Sequence, residues 1–424
     1  MRRRSGSTRR RAGTSTGPPA RSRNSASPSS ACARSGHESG RDLRGAEMTA
    51  VERIRVLRVP SPLVRPFVTA VRRTDHLDVV LVEVTDTDGR RGYGEAATSW
   101  RVTGESPQSV AAAVAGPLAE AVLGRHACDP GIPADIARSV WGNAAARSAV
   151  ECAVADLAAQ QRGVALAQMI SALTAPSRLR TDMTLSAGEP AVLASLAAEH
   201  VTAGFGCLKI KVSVAHDTVA GLQAVRAAVG PDITLRIDAN QAWGAETAIR
   251  VIRAAEDAGL ALELVEQPVA AHDLDALAEV TSAVDTPIMA DESVRTAHDV
   301  RMIADRGAAA LVNIKLAKTG GLTEALAAAE TARAAGLGVV IGCMMESHVG
   351  VSAAAHLAAA VAPDAVHDLD AAFWLRSSPV TGGVVLSGDT LDLGAGDGLG
   401  ISGLAADAQP EVLVDLSRRA AVSA

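Results

Sequence analysis

The feature of this 424-residue sequence that most restricts its fold is a repeat of short apolar strands, each ending in a polar residue. The repeat starts near residue 181, and its first six polar residues are 24 to 28 positions apart. Ala-rich stretches with helical spacing separate the strands. One strand and one helix per unit, repeated about eight times, predict a parallel (β/α) barrel whose functional residues lie at the carboxyl ends of the strands. These strand-end residues are Thr184, Lys211, Asp238, Glu266, Asp291, Lys315 and, after a further apolar strand at 338–342, Asp368.

The preceding segment has a different pattern, with alternation typical of strands and then helical spacing. We therefore expect an α+β domain at 48–180, followed by the barrel domain at 181–372. The predicted elements are strands at 51–59, 79–84 and 92–95, a hairpin turn at Asp88-Gly89, and helices at 106–123 and 145–161.

The first 47 residues are rich in Arg, Ser, Gly and Pro and hold almost no large apolar side chain, so they cannot form a core. Eleven Arg and three acidic residues give this segment a charge of +8, which leaves −14 for the rest of a chain whose net charge is −6. We interpret residues 1–47 as a disordered extension ahead of a start at Met48, because a secretory signal would need an apolar stretch after the arginines. A nucleic-acid-binding tail is the alternative, but an acidic body is not typical of nucleic-acid binders.

Two further properties concern the location of the protein. Every apolar run of about 18 residues is interrupted by a charge or a turn signal, so we expect no membrane-spanning helix. The five Cys residues are scattered and form no Cys-x-x-Cys pair, which is typical of free thiols in a reducing compartment. We therefore expect a cytoplasmic protein with no membrane partner.

Three carboxylates end three consecutive strands of the repeat, at Asp238, Glu266 and Asp291. Neighbouring strand ends of a barrel converge, and three carboxylates at one point repel each other unless a cation lies among them. Oxygen ligands without His or Cys favour Mg²⁺ over Zn²⁺. We predict one Mg²⁺ per subunit here, the alternative being that each carboxylate caps its own helix.

Lysine is rare in this chain, since 37 of the 41 basic residues are Arg, and the four Lys are Lys209, Lys211, Lys315 and Lys318. Arg stays protonated, whereas Lys can act as a base. Lys211 and Lys315 end the strands on either side of the carboxylate strands, so they could remove a proton from one face of a carbon and return it to the other. Partial burial, and for Lys211 the neighbouring Lys209, would depress an ammonium pKa. The alternative is that these lysines are only counter-ions, and we interpret Lys318 as structural.

Five other polar residues near the strand ends each allow two interpretations. Asn240, Gln267 and Glu292 follow the three carboxylates and could orient ligands or lysines, or simply line loops. Asp368 and Asp370 lie two residues apart on the last strand, so both can face the barrel mouth. Two carboxylates there suit a substrate ammonium group, and a capping or turn pair is the alternative.

Five motifs, in this order along the chain, resemble the muconate-lactonizing subgroup of the enolase superfamily. The resemblance runs from about Val51 to the end of the chain. Within that subgroup, the segment 367–371 is most similar to the dipeptide epimerases, among them the L-Ala-D/L-Glu epimerases. The five motifs are Leu208-Lys209-Ile210-Lys211-Val212, Arg236-Ile237-Asp238-Ala239-Asn240-Gln241, Glu263-Leu264-Val265-Glu266-Gln267-Pro268, Met289-Ala290-Asp291-Glu292-Ser293 and Val312-Asn313-Ile314-Lys315-Leu316.

The resemblance implies a modified (β/α)₇β TIM-like barrel under an α+β capping domain, formed by residues 48–180 and a C-terminal segment, 373–424, that returns to it. It implies that Asp238, Glu266 and Asp291 bind Mg²⁺ and that Lys211 and Lys315 are the acid/base pair. We also expect a homo-oligomer.

The resemblance further implies how a dipeptide is bound. Lys209 would help to bind the substrate carboxylate, and Asp368 and Asp370 its α-ammonium group. A flexible loop near Pro66-Phe67 would close over the substrate, and Arg72 in that loop would meet a Glu side chain. Thr184 and Met345 would line the pocket.

The expected function is that of a Mg²⁺-dependent epimerase that inverts the α-carbon of the C-terminal residue of a dipeptide, converting L-Ala-L-Glu to L-Ala-D-Glu through a metal-stabilised enediolate. The alternatives within the fold are an N-acylamino acid racemase and an o-succinylbenzoate synthase, which need no pair of acids for an ammonium group. A non-catalytic solute-binding barrel is the alternative from another class, but it gives no reason for two opposed lysines.

Overall fold

The computed structural model describes residues 49–68, 73–171, 174–213 and 215–418, all within one compact unit, Met48–Ala424. The predicted tail at 1–47, the proposed start at Met48 and Arg72 lie outside the described residues.

The strands alternate with helices from residue 183 to residue 367, as the repeat predicts. A π-helical turn lies at Val114–Leu118 and a 3₁₀ turn at Ala371–Trp374. The strands are β1 (Val51–Val68), β2 (Arg73–Asp86), β3 (Arg91–Glu95), β4 (Arg178–Thr181), β5 (Met183–Leu185), β6 (Cys207–Lys211), β7 (Thr234–Asp238), β8 (Leu262–Glu266), β9 (Ile288–Ala290), β10 (Leu311–Lys315), β11 (Gly338–Gly342), β12 (Val366–His367), β13 (Val380–Gly382), β14 (Val385–Ser387), β15 (Thr390–Asp392), β16 (Ile401–Leu404) and β17 (Glu411–Ser417). The α-helices are α1 (Pro107–Ala113), α2 (Ala119–Val122), α3 (Ile132–Ser139), α4 (Ala144–Arg162), α5 (Leu166–Ile170), α6 (Pro190–Thr202), α7 (Thr218–Val229), α8 (Ala245–Asp257), α9 (Leu274–Ala283), α10 (Ala297–Arg306), α11 (Leu316–Thr319), α12 (Leu322–Ala334) and α13 (His348–Val361).

The first sheet is antiparallel, with the strand order β17-β1-β2-β3, so the last strand of the described residues completes it. The predicted hairpin turn is present, since the Gly89 amide donates to the Asp86 carbonyl at 3.0 Å. Helix α4 packs closely on β3, where a Cβ at Gly94 would lie 2.0 Å from the Ala149 carbonyl oxygen. Strands β1 and β2 are longer than predicted and form one hairpin, so Pro66 lies in β1 rather than in a loop.

The second sheet is parallel, and its seven strands, β5 to β11, are neighbours in chain order. Strand β12 closes the barrel, because Asp368 forms a bridge to Gly342 of β11 while His367 pairs with Thr181, next to β5. The predicted modified (β/α)₇β barrel is therefore confirmed.

The barrel helices begin at local signals that follow each strand. Asp217 accepts hydrogen bonds from the first-turn amides of α7, and Thr296 forms a capping box with Asp299 in α10. In α8, Ala248, Ile252 and Ala255 are buried at helical spacing against the core. Such helices pack on the outside of the sheet and leave the strand-end side chains at the rim.

Helix α4 also touches the barrel directly behind the lysines of β10 and α11. Gly321 has a φ of 135°, and a Cβ there would lie 1.8 Å from Glu151 Oε2. The Glu151 carboxylate accepts hydrogen bonds from the Thr323 amide at 2.8 Å and the Thr323 hydroxyl at 2.6 Å. The chain after Lys318 is therefore held against α4.

Candidate active site

Strand register brings the predicted residues to one rim of the barrel. Lys211 is in register with Asp238, and Asp238 with Glu266, along β6, β7 and β8. On the other side, Lys315 is level with Gly342, which bridges to Asp368. All these side chains are buried or nearly so. The predicted convergence of strand ends is therefore what the structure shows.

Lys209 and Lys211 occupy alternate positions of β6 and face the barrel interior. Lys211 Nζ donates to Asp238 Oδ2 at 2.5 Å, and the Lys211 side chain is 11% exposed. Lys209 is fully buried, and its Nζ lies 2.5 Å from Asp368 Oδ1, 3.3 Å from Glu266 Oε2 and 3.8 Å from Asp238 Oδ2. Lys209 thus links carboxylates of three strands.

Lys315 ends β10 and faces the same group of carboxylates from the opposite side. Its Nζ lies 3.0 Å from Asp291 Oδ2, 3.4 Å from Asp368 Oδ2 and 3.8 Å from Glu266 Oε1. Strands β6 and β10 are four positions apart in this barrel, so Lys211 and Lys315 lie on opposite sides of its mouth.

The expected depression of the ammonium pKa is wrong for Lys315. Burial lowers the pKa of Lys315, but Asp291, Asp368 and Glu266 raise it more, so it lies well above its usual value. Burial likewise lowers the pKa of Lys209, and Asp368 and Glu266 raise it more. Nearby carboxylates therefore outweigh desolvation at both amines.

Lys318 is closer to the site than its sequence position suggests. It is fully buried in α11, and its ammonium group donates to the Asp291 carboxylate, to the Asp291 carbonyl and, at 3.1 Å, to the Asn313 carbonyl. Lys318, expected to be structural, thus directly contacts one of the three strand-end carboxylates.

The three strand-end carboxylates carry more negative charge than a buried site tolerates by itself. Burial raises the pKa of Glu266 well above its ordinary value, and Asp238 adds to this increase. Burial also raises the pKa of Glu292 to about 7, with Asp291 and Asp238 contributing, and Glu292 Oε2 is buried without a hydrogen-bond partner. This oxygen-only donor set with excess charge fits a hard divalent cation.

A second acidic group lies beside the first. Among the described residues, Asp182, Asp368 and Asp370 are the group whose possible ligand atoms all lie within 4.8 Å of one another. Asp182 accepts a hydrogen bond from Arg236 at 2.9 Å, and Asp368 pairs with Lys209 at 2.5 Å. Lysines likewise pair with Asp238, Glu266 and Asp291, so pairing with cations does not by itself distinguish the two acidic groups as metal sites.

Asp368 and Asp370 differ in their surroundings although they lie two residues apart. Burial raises the pKa of Asp368, but Lys209 and Lys315 lower it more, to about 2. Burial and the charge of Asp368 raise the pKa of Asp370. Asp370 accepts a hydrogen bond from the Thr184 amide at 2.7 Å and a longer one from Trp374 Nε1 at 3.5 Å.

The residues that follow the carboxylates hold the rim loops. The Gln267 side chain accepts from the Asp291 amide at 2.9 Å and donates to Ser293 Oγ at 2.9 Å. Asn240 donates from its backbone to Asp238 Oδ1 at 2.9 Å and from its side chain to Glu292 at 3.4 Å. Asn240 and Gln267 both have a positive φ, which is uncommon for residues other than glycine and recurs at functional sites.

Thr184 and Met345 lie where their strand-end positions place them. Thr184 is buried and contacts Asp370 through its backbone amide. Met345 follows β11, is half-buried and packs against the core. Arg72 belongs to the segment 69–72, outside the described residues.

Two polar residues of this site were not recognised from the sequence. Asn313 is fully buried and donates from Nδ2 to Glu266 Oε1 at 2.9 Å and to Asp368 Oδ2 at 3.1 Å. It lies two residues before Lys315 on β10, and this alternation could have identified it. Asp182 lies between β4 and β5, and no local signal distinguishes it from a surface acid.

Comparison with known proteins agrees with this geometry. Residues 52–171 match the mandelate racemase/muconate lactonizing enzyme N-terminal domain, and residues 192–406 match the enolase C-terminal domain-like family. The chain is 40% identical over 357 residues to the L-Ala-D/L-Glu epimerase of Bacillus subtilis strain 168, covering 83% of this chain and 97% of the relative. The chain belongs to the mandelate racemase/muconate lactonizing enzyme family.

Other members of the family are also similar along nearly their whole length. The hydrophobic dipeptide epimerase of Enterococcus faecalis V583 is 40% identical over 346 residues, covering 79% of this chain and 95% of that protein. A crystal structure of a dipeptide epimerase from the same organism, complexed with Mg and L-Leu-L-Tyr, matches with a TM-score of 0.79 and 38% identity, covering 83% of this chain and 99% of that one. The predicted family, fold and enzyme class are confirmed, and the chain is an isomerase of the epimerase and racemase kind.

Two predictions about bulk properties can also be compared with the structure. None of the helices in the described part of the chain is both long and apolar enough to cross a membrane. The four described cysteines, Cys128, Cys152, Cys207 and Cys343, are free thiols, and Cys32 lies outside the described residues.

Proposed function

We propose that this protein epimerises dipeptides by inverting the α-carbon of their C-terminal residue, with L-Ala-L-Glu and L-Ala-D-Glu as its substrate pair. The observation that carries the proposal is the placement of Lys211 and Lys315 on opposite sides of one barrel mouth, beside Asp368 and Asp370. This arrangement suits a substrate with an acidic C–H bond at its centre and a positive charge at one end.

The two lysines would act in turn on the α-carbon. One neutral amine takes the α-proton from its face, and the ammonium group on the other side returns a different proton. In reverse, the roles of Lys211 and Lys315 are exchanged, so each diastereomer has its own base. Since Lys315 lies 3.0 Å from Asp291 in this structure, a cation that engages Asp291 would free the Lys315 amine for this role.

Asp370 and Asp368 would hold the dipeptide ammonium group. Asp370 is fixed by the Thr184 amide and has no lysine within salt-bridge distance in the described structure, so its charge is open to a substrate cation. Lys209, buried beside Asp368 and Glu266, would contribute positive charge for the substrate carboxylate. An N-acylamino acid has no ammonium group to use these acids.

Asp238, Glu266 and Asp291 would hold Mg²⁺, with Asn240 and Glu292 supporting them from the neighbouring loops. When bound, this ion would supply the positive charge that stabilises the additional negative charge of the deprotonated substrate carboxylate.

The choice of a Glu side chain rests on Arg72. Relatives at the same identity act, by their names, on L-Ala-D/L-Glu and on hydrophobic dipeptides, so identity alone does not select the side chain. A change of Arg72→Met should lower kcat/KM for L-Ala-L-Glu about a hundredfold, as expected for loss of one charged contact. It should leave a dipeptide with an apolar C-terminal residue almost unaffected.

The decisive experiment incubates the protein and Mg²⁺ in D₂O with a library of L,L-dipeptides, to which N-acylamino acids are added. Mass spectrometry then identifies each compound that gains one deuteron, and chiral chromatography identifies the inverted centre. We expect exchange at the C-terminal α-carbon of dipeptides, with L-Ala-L-Glu fastest. Lys211→Ala should abolish epimerisation, and Ser213→Ala, a control two residues beyond Lys211, should behave as wild type.

Exchange in N-acylamino acids alone would refute the dipeptide assignment. Epimerisation by Lys211→Ala at the wild-type rate would refute the two-base mechanism. A cytoplasmic location and a homo-oligomer remain predictions, which fractionation and analytical ultracentrifugation would test.

A further inference from the structure

Lys318 is a buried lysine that the proposed reaction does not use. Its Nζ has three acceptors for its three N–H groups, namely one oxygen of the Asp291 carboxylate, the Asp291 carbonyl and the Asn313 carbonyl. A lysine is seldom fully buried, because removing an ammonium group from water is costly unless it is completely paired. These three contacts therefore account for the burial of the Lys318 ammonium group.

The contacts fix the orientation of the Asp291 carboxylate. Lys315 Nζ lies 3.0 Å from Asp291 Oδ2, while Lys318 donates to Asp291 Oδ1. Each oxygen thus has its own amine. If Lys315 moves to serve the substrate, the contact with Lys318 still holds the carboxylate in place, because Lys318 approaches from α11 rather than from the barrel mouth.

The backbone at Asp291 also depends on side chains. Strand β9 pairs with β10 through Met289 and Ala290, and the ladder ends there. Immediately beyond it, the Asp291 amide donates to Gln267 Oε1 at 2.9 Å, and the Asp291 carbonyl accepts from Lys318. Lys318 therefore replaces the missing ladder and joins the end of β9 to β10 through the Asn313 carbonyl.

We propose that Lys318 is a positioning residue that fixes Asp291 as a ligand for the divalent cation. This inference rests on the proposed function, because it assumes that Asp291 binds Mg²⁺. Three converging oxygens suit a compact ammonium group, whereas a planar guanidinium has a different shape and size. The requirement is therefore for lysine, in a chain that otherwise uses arginine at 37 of 41 basic positions.

The test is calorimetric titration of the metal-free full-length protein with Mg²⁺ alone. We expect Lys318→Met and Lys318→Arg each to weaken Mg²⁺ binding at least about tenfold, the range found when partners of metal ligands are removed. Thr319→Val is the matched control, because Thr319 is buried in the same helix but bonds the Leu316 and Gly321 carbonyls instead of Asp291. The control should bind Mg²⁺ as wild type does.

Circular dichroism and thermal unfolding, with and without Mg²⁺, establish that each variant is folded. A folded Lys318→Met protein that binds Mg²⁺ as tightly as wild type would overturn the inference. Unfolding of both Lys318→Met and Lys318→Arg would also overturn it, because Lys318 would then serve folding as a whole. If wild type itself fails to bind Mg²⁺, the metal site of the proposed function is wrong.

Discussion

The two pairs of lysines at the barrel rim differ in the way the backbone delivers them. Lys209 and Lys211 lie on one strand, so both side chains face the interior and meet only side-chain carboxylates. Lys315 ends a strand, but Lys318 lies in the first turn of α11 and reaches two backbone carbonyls as well as Asp291. Lys209 and Lys211 therefore both face the barrel interior. Of Lys315 and Lys318, only Lys315 faces the interior, and Lys318 supports Asp291 from α11.

The two pairs of lysines also differ in the carboxylates that they contact. Lys209 is the amine that connects the carboxylates of β7 and β8 with Asp368. On the other side, Lys315 connects Glu266 and Asp291 with Asp368, whereas Lys318 contacts the Asp291 carboxylate and two backbone carbonyls. The two opposed amines, Lys211 and Lys315, are therefore held by different neighbouring groups.

The largest effect is expected from removing either base. Lys211→Ala and Lys315→Ala should each lower kcat for epimerisation about a thousandfold or more, because general-base catalysis is lost on one face. Each variant should still exchange the α-proton of one diastereomer, and the two variants should retain opposite ones. Proton NMR in D₂O with L,L- and L,D-dipeptides measures this, and exchange of the same diastereomer by both variants would contradict opposed placement.

A somewhat smaller effect is expected on the free energy of unfolding when Lys209 or Lys211 is replaced. Lys209→Met should lower the free energy of unfolding by about 3 kcal/mol, because it leaves buried carboxylates without their shared cation. Lys211→Met should cost only about 1 kcal/mol, since Lys211 has one partner and reaches solvent. Urea unfolding at neutral pH without Mg²⁺ measures both values, and equal losses would show that the two lysines have equivalent surroundings.

The next effect separates Asp368 and Asp370, the two acids that follow β12. Asp368 contacts both lysine pairs, at 2.5 Å from Lys209 and 3.4 Å from Lys315. Asp370→Asn should raise KM for a dipeptide about a hundredfold with little change in kcat, whereas Asp368→Asn should reduce both. Steady-state kinetics distinguish them, and mild effects of both, together with turnover of an N-acylamino acid, would favour the racemase alternative.

The smallest effect is a pH dependence of the contribution that Lys209 makes to the free energy of unfolding. The folded-state pKa of Asp368 is about 2, against an ordinary 3.8, so this carboxylate stabilises the fold above pH 3.8 and loses that contribution as the pH falls toward 2. The stability difference between wild type and Lys209→Met should therefore narrow across that interval, by at most about 2 kcal/mol because Lys315 and Lys211 also lower this pKa. Urea unfolding from pH 6 to pH 2 tests it, and a constant difference would mean that Asp368 is not the main partner.

Much of the fold follows from local patterns in the sequence. The strand–helix period and the caps of α7 and α10 depend on neighbours within one turn or one strand, so the barrel and its order were predictable. Residues at strand ends share a rim by symmetry, which is why Lys211, Asp238 and Glu266 could be placed together. The extent of the β1–β2 hairpin was less predictable, because its outer part depends on pairing rather than on alternation.

The sequence alone therefore determined the barrel, the family and the strand-end residues, because these depend on periodicity and on motifs of a few residues. Tertiary structure decided the contact of Lys318 with Asp291, the place of Asn313 between Glu266 and Asp368, and the raised pKa of Lys315. Each of these depends on which carboxylates and carbonyls other strands bring within about 4 Å, and electrostatic interactions at that distance are set by burial and packing rather than by position in the chain.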